Sequence, residues 1–267
     1  MLADIAAIPV YLVEPSGVQA KVITGMLAKR GALNVRRFEN AGEMLKVSEL
    51  DPPGLVISAL YLPDMQGTEL VQRMRTDPAL EHTPFVLISS ETRPQVLDPV
   101  RQSGVCGILP KPFTETQLNT ALRATMDYLD SDAALDVVEV DLSSIKVLVV
   151  DDSPSARRFM RRTMENLGIC QFVEANNGVE AVAILTDTAF DLVITDYNMP
   201  EMDGKGLLDY IRNQSWQSSV PVLMVTSESN EGRLAAVEEA GVSGICDKPF
   251  EPRTVRALLG RILRTGQ

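Results

Sequence analysis

Residues 191–204 read Asp-Leu-Val-Ile-Thr-Asp-Tyr-Asn-Met-Pro-Glu-Met-Asp-Gly. Leu192, Val193 and Ile194 form an apolar run rich in β-branched residues, closing on the carboxylate of Asp196. A turn at Asn198-Met199-Pro200 then leads to Gly204. A run of this kind marks a strand buried on both faces of a parallel sheet. Ligands of open α/β sheets collect just past the carboxyl ends of the strands, so Asp196 stands where such a fold places its chemistry. An Asp can also do no more than cap the turn after a strand. The other strand ends decide between the two.

Outward from this stretch, the chain repeats itself. Gly31 and Gly168, Pro63 and Pro200, Gly67 and Gly204, and Lys111-Pro112-Phe113 and Lys248-Pro249-Phe250 are each separated by 137 positions (248 − 111). That period is too long for a solenoid unit and fits a whole domain. Two domains are expected, at residues 1–126 and 145–267. Residues 127–144 hold six acids and no base, and read as a helix end followed by an acidic, solvated linker. Lys and Arg against Asp and Glu give 12 − 13 = −1 for the first copy and 13 − 17 = −4 for the second.

The second copy alternates strands and helices. Strands are predicted at Ile145–Val150, Phe172–Ala175, Leu192–Thr195, Val220–Val225 and Val242–Cys246. The first helix starts on the N-cap Ser153 with Pro154 in its first position and stops at Gly168. Pro252–Leu263 is the predicted closing helix. Five strands alternating with five helices imply a parallel sheet with helices on both faces. The first copy follows the same order. Its fourth helix, Thr92–Ser103, contains Pro99, which predicts a kinked, shortened or displaced element.

Composition narrows the class. The chain has 267 residues, 45% of them apolar, and a net charge of −11, which argues against a nucleic-acid partner held through phosphates. Cys106, Cys170 and Cys246 are odd in number and scattered, and read as reduced, buried thiols. No apolar run approaches membrane-spanning length and the N-terminus does not read as a signal peptide, so a cytoplasmic protein with no membrane contact is expected. His82, between Glu81 and Thr83, is the only histidine and reads as an exposed loop residue. It leaves no convincing base for a Ser-His-Asp triad.

In the second copy strand one ends in Asp151-Asp152, strand three in Asp196, strand four in Thr226 and strand five in Asp247-Lys248-Pro249. All these ends open on one edge of a parallel sheet. Three crowded carboxylates repel, and Mg²⁺ suits a few carboxylates completed by water and phosphate oxygens. Lys248 supplies a point charge for an anion and Thr226 a hydroxyl.

Val-Asp-Asp-Ser, Asp-Tyr-Asn-Met-Pro-Glu-Met-Asp-Gly, Met-Val-Thr-Ser-Glu and Asp-Lys-Pro-Phe together resemble the receiver domains of two-component response regulators, above all the single-domain chemotaxis type. The resemblance covers residues 145–267 in full and residues 5–126 more weakly. It implies two flavodoxin-like (βα)5 domains with sheet order 2-1-3-4-5. It further implies that Asp196 takes a phosphoryl group from a histidine kinase or histidine phosphotransfer protein. Asp152, Asp196 and the Asn198 carbonyl would hold Mg²⁺, with Asp151 helping through water. Lys248 and Thr226 would contact the phosphoryl group, and Lys248–Pro249 would be a cis peptide. One departure is Ile245, where the family often carries an aromatic residue.

The first copy has lost this set. Glu14-Pro15 replace the strand-one acids and Ala59 replaces the acceptor, while Ser89 and Lys111 survive. Residues 1–126 therefore resemble a degenerate, unphosphorylated receiver with an interaction or regulatory role. Other readings are an aspartyl-phosphate phosphatase, which lacks its Asp-x-Asp motif here; a nucleotide-binding domain, which lacks its glycine-rich loop; and a receiver-like scaffold that is never phosphorylated. A non-enzymatic signalling protein is expected. Arg157, Arg158, Arg161 and Arg162 read as one broad basic helix face near the acidic pocket, a solvated face paired with acids ahead of the alternative, a docking surface for the kinase's phosphotransfer domain.

Overall fold

The computed structural model describes residues 5–91, 93–129, 142–227 and 231–248, with Val255 and Leu259. The chain divides into two compact units, Met1–Asp130 and Ser131–Gln267.

In the first unit the strands are β1 (Val10–Val13), β2 (Val35–Phe38), β3 (Leu55–Ala59), β4 (Phe85–Ser89) and β5 (Gly107–Pro110). The helices are α1 (Gly17–Ala28), α2 (Ala41–Ser48), α3 (Gly67–Thr76), α4 (Pro94–Arg101) and α5 (Glu115–Leu129). All strand pairs are parallel, in the order β2-β1-β3-β4-β5. β1, β3 and β4 are buried along their whole length, which is why they read as unbroken apolar runs. Tyr11, Val13, Val56, Phe85 and Leu87 form one core cluster with residues of the covering helices.

The second unit holds β6 (Lys146–Val150), β7 (Gln171–Ala175), β8 (Leu192–Asp196), β9 (Val222–Thr226) and β10 (Gly244–Asp247). Between them run α6 (Pro154–Glu165), α7 (Gly178–Asp187), α8 (Gly204–Asn213) and α9 (Glu231–Glu239). The order is β10-β9-β8-β6-β7, the same sheet, again wholly parallel. Both halves thus carry the flavodoxin-like strand order. Of the predicted closing helix only Val255 and Leu259 are described, both helical and buried. The predicted cis bond involves Pro249, outside the described residues, as do residues 130–141 of the linker.

Local chemistry fixes the element boundaries. Ser16 and Ser153 cap α1 and α6, each accepting from the backbone N–H three residues on. Gly31 and Gly168 take positive φ just beyond those helices. Gly67 and Gly204 are required for another reason. A Cβ at Gly204 would lie 2.2 Å from the Asp196 carbonyl oxygen, and one at Gly67 2.6 Å from that of Ala59. Only glycine lets the third helix of each half start directly over the end of the central strand.

Arg75 in the first unit is buried and donates to the carbonyls of Leu80, Glu81, Thr83, Ser103 and Gly104. Arg212, 137 positions later, does the same for Ser218, Val220 and Gly241. Below α7, Trp216 lies 65% exposed with its indole N–H on the Leu185 and Thr186 carbonyls. α4 keeps Pro99 inside its eight residues, Pro94–Arg101, and is shorter than the predicted span Thr92–Ser103, as the proline implies. Pro99 sits in the sixth position of its helix, and its own carbonyl accepts from the Ser103 hydroxyl.

Candidate functional site

The register of the second sheet sets its strand ends side by side. Val150 pairs with Thr195, Asp196 with Val225, and Thr226 with Asp247. Asp151, Asp196, Thr226 and Lys248 are all buried at this edge, and Asp152 is exposed beside them. Carboxylate oxygens of Asp151, Asp152 and Asp196 lie within 4.8 Å of one another. Lys248 Nζ reaches Asp151 Oδ2 at 2.7 Å and Asp196 Oδ2 at 2.9 Å. The other oxygens are held by backbone, with Ser153 N–H donating to Asp151 Oδ1 and Tyr197 N–H to Asp196 Oδ1. Asn198 is exposed two residues past Asp196. The structure thus brings the predicted residues to one edge, where two buried acids share one buried lysine and a third acid faces solvent. Hard oxygen donors in this number fit Mg²⁺.

Electrostatics follow from the burial. Desolvation pushes the Asp151 carboxyl up to about 6; Lys248 opposes that shift and Asp196 adds to it. Burial acts to lower Lys248, but Asp151 and Asp196 outweigh it, and its pKa lies above the ordinary lysine value. An acid whose folded pKa exceeds its unfolded value of about 3.9 stabilises the fold fully below that value and loses the contribution as pH rises through the folded pKa. Without metal, the second domain is therefore expected to gain stability as pH falls from about 7 to about 5. Asp151→Asn should flatten that part of the profile. Thermal midpoints in a chelator across this range check it; a wild-type midpoint that falls no less steeply than the variant's would refute it.

The first domain keeps more of the site than its sequence suggests. Glu14, aligned with Asp151 (151 − 137), is 3% exposed. Its Oε2 pairs with Lys111 Nζ at 3.0 Å, and its Oε1 accepts from Ser16 N–H at 3.0 Å. Lys111 also donates to Gln19. The acid–lysine bridge of the second domain is thus rebuilt with a longer acid, while Ala59 and Pro15 offer no carboxylate. Ser89 Oγ accepts from the Glu91 N–H. Asp64 accepts from the first two N–H groups of α2, Ala41 and Gly42, and serves there as a helix cap. This bridge escaped the sequence reading. Its only signal was a retained acid and a retained lysine at the same offset.

Two expectations need correction. Arg161 and Arg162 are exposed and pair with Glu165, as expected of a solvated face, but Arg157 is buried. It sits in the first turn of α6, close enough to the sheet edge to turn inward. Cys106 and Cys246 are buried thiols in no disulfide, whereas Cys170 is exposed. Cys170 lies between the positive-φ Gly168 and the start of the edge strand β7, next to the fully buried Ile169. Ile245 packs partly buried against the core of its domain. His82 is exposed near Glu81. No helix among the described residues is long and apolar enough to cross a membrane.

The family model for the response regulator receiver domain matches residues 10–123 and again residues 147–260. A chemotaxis protein CheY homolog from Campylobacter jejuni is 38% identical over 123 residues, 46% of this chain and 95% of the relative. The chemotaxis response regulator CheY4 of Vibrio cholerae is 36% identical, covering 44% of this chain and 98% of that one, with a TM-score of 0.41. The signal receiver domain of a histidine kinase from Syntrophus aciditrophicus is 30% identical over 46% of this chain and 92% of its own, with a TM-score of 0.43.

Proposed function

Because the chain belongs to the response regulator receiver family, with a receiver domain in each half, we propose that only the second domain is phosphorylated, on Asp196, with Mg²⁺. The observation that carries this reading is the contrast between the two sheet edges. Asp151, Asp152 and Asp196 converge in the second half, and Glu14 alone remains in the first.

In this reading a carboxylate oxygen of Asp196 attacks the phosphorus of a phosphohistidine on a kinase or phosphotransfer protein. A P–O bond forms as the P–N bond breaks. Asp152, Asp196 and the Asn198 carbonyl would hold Mg²⁺, with Asp151 behind them; the cation supplies charge neutralisation for the transferred group. Lys248 exchanges its bond to Asp196 for one to a phosphoryl oxygen, and Thr226 offers its hydroxyl to another. The chain acts by protein–protein contact rather than as an enzyme turning over a substrate. The first domain, with its acceptor position filled by Ala59, serves as a regulatory or interaction module.

Intact-mass measurement after incubation with acetyl phosphate tests this. One phosphoryl group per chain is expected, and none when a chelator replaces Mg²⁺. Two groups per chain would overturn the silent first domain. Titration with Mg²⁺ should show one saturable site, removed by Asp152→Asn; a site that survives that substitution would place the metal elsewhere.

A further inference from the structure

Asp151 and Asp152 are adjacent, so one peptide group joins the backbones of both and a tilt of that group moves both carboxylates. The β6–β7 ladder carries that strand only to Val150 opposite Ala175, with one further bond from Asp151 N–H to the Ala175 carbonyl. The Asp151 carbonyl lies beyond the last paired rung. Arg157 Nη1 donates to it at 2.6 Å, while Arg157 Nε donates to Glu174 Oε2 on β7 at 2.9 Å. Arg157 is 9% exposed and its planar fork ties the end of β6 to the neighbouring strand.

The first domain reaches the same contact by another route. The positions matching Arg157 and Glu174 are Ala20 (157 − 137) and Arg37 (174 − 137). The arginine has moved from the helix to the strand. Yet Arg37 Nε points to the Glu14 carbonyl at 3.3 Å and its Nη2 to the Pro15 carbonyl at 3.0 Å. What the two halves share is a guanidinium on the carbonyl of the strand-one acid, not an arginine at a fixed position.

We propose that Arg157 is a positioning residue for the divalent cation: it fixes the Asp151–Asp152 peptide so that both carboxylates face one ion. This rests on the metal reading given above. Arg157 brings positive charge toward a site that must attract a cation, so its charge alone opposes binding. Its benefit is geometric, through groups behind the ligands, whose loss typically weakens metal binding about 10–100-fold.

These two effects have opposite signs, which makes the test decisive. Mg²⁺ binding to the full chain is measured by titration calorimetry, with the Asp152→Asn chain as blank and thermal midpoints recorded in parallel. Arg157→Ala is expected to weaken Mg²⁺ binding about tenfold. Arg157→Lys, which keeps the charge but not the fork, is expected to weaken it as well, and serves should the alanine variant fail to fold. Arg157→Ala with Glu174→Arg transplants the first-domain arrangement and is expected to recover most of the affinity. Unchanged or tighter binding in both single variants overturns the proposal, and so does a swap that recovers nothing. A wild-type chain with no Mg²⁺ uptake above the blank overturns the metal reading itself, a result distinct from the others.

Discussion

An Asp196→Ala chain incubated with acetyl phosphate and Mg²⁺ is expected to gain no phosphoryl mass under conditions where the wild type gains one group. The loss should be complete rather than partial. At the matching strand end of the first domain stands Ala59, which has no nucleophile. Asp151, the other buried acid of the site, has one oxygen on Lys248 and the other on the Ser153 amide. Asp152 is exposed and lies at the end of a different strand. Removing Asp196 leaves no carboxylate at the end of β8, so a donor positioned over that strand meets a methyl group. Beryllofluoride, a phosphoryl mimic, should likewise fail to bind the variant. Labelling of Asp196→Ala at the wild-type level would move the acceptor to another residue.

The second large effect is expected at Lys248. Its side chain is 3% exposed and bridges Asp151 and Asp196, whose side chains are 0% and 1% exposed. Removing one partner of a buried ion pair costs about 3–5 kcal/mol, because the remaining charge is left buried and uncompensated. Lys248→Ala leaves two such charges about one missing cation. The loss of stability in chelator should therefore reach that range, and millimolar Mg²⁺ should return part of it by substituting for the ammonium. Chemical denaturation with and without Mg²⁺ measures both. Lys111→Ala in the first domain is the control. That lysine is 25% exposed at its side chain and, among the described residues, pairs with a single acid, Glu14, so its removal should cost less and should not respond to Mg²⁺. A Lys248→Ala chain as stable as wild type in chelator would mean that the two acids do not depend on the lysine for their burial.

Much of this was legible in the sequence because it is carried by period and position. Buried parallel strands must be apolar along their length, so the runs at Val147–Val150 and Leu192–Ile194 announce themselves. The 137-residue offset fixes the repeat, and a parallel sheet brings every strand end to one edge without further information. What escaped depends on the reach and direction of side chains. Glu14 looked like a lost aspartate, but one extra methylene lets it meet Lys111. Arg157 shares a helix with Arg158, Arg161 and Arg162, and spacing alone assigns it to their face. Its place in the first turn of α6, next to a carbonyl beyond the sheet ladder, turns it inward instead. Cys170 read as buried from its apolar neighbour Ile169, whereas burial there changes from one residue to the next.

The indole lying against the end of α7 has an optical consequence. Trp216 is the only tryptophan in the chain, and its ring is held by two carbonyls of the second half. Its emission therefore reports the melting of that half alone, while far-ultraviolet ellipticity sums the helices of both. Heating followed by the two signals together separates the halves without cutting the chain. Mg²⁺ is expected to raise the midpoint seen in emission by mass action on the folded second half. It should leave in place whatever part of the ellipticity change the emission does not follow, so each half's stability becomes readable in the intact protein.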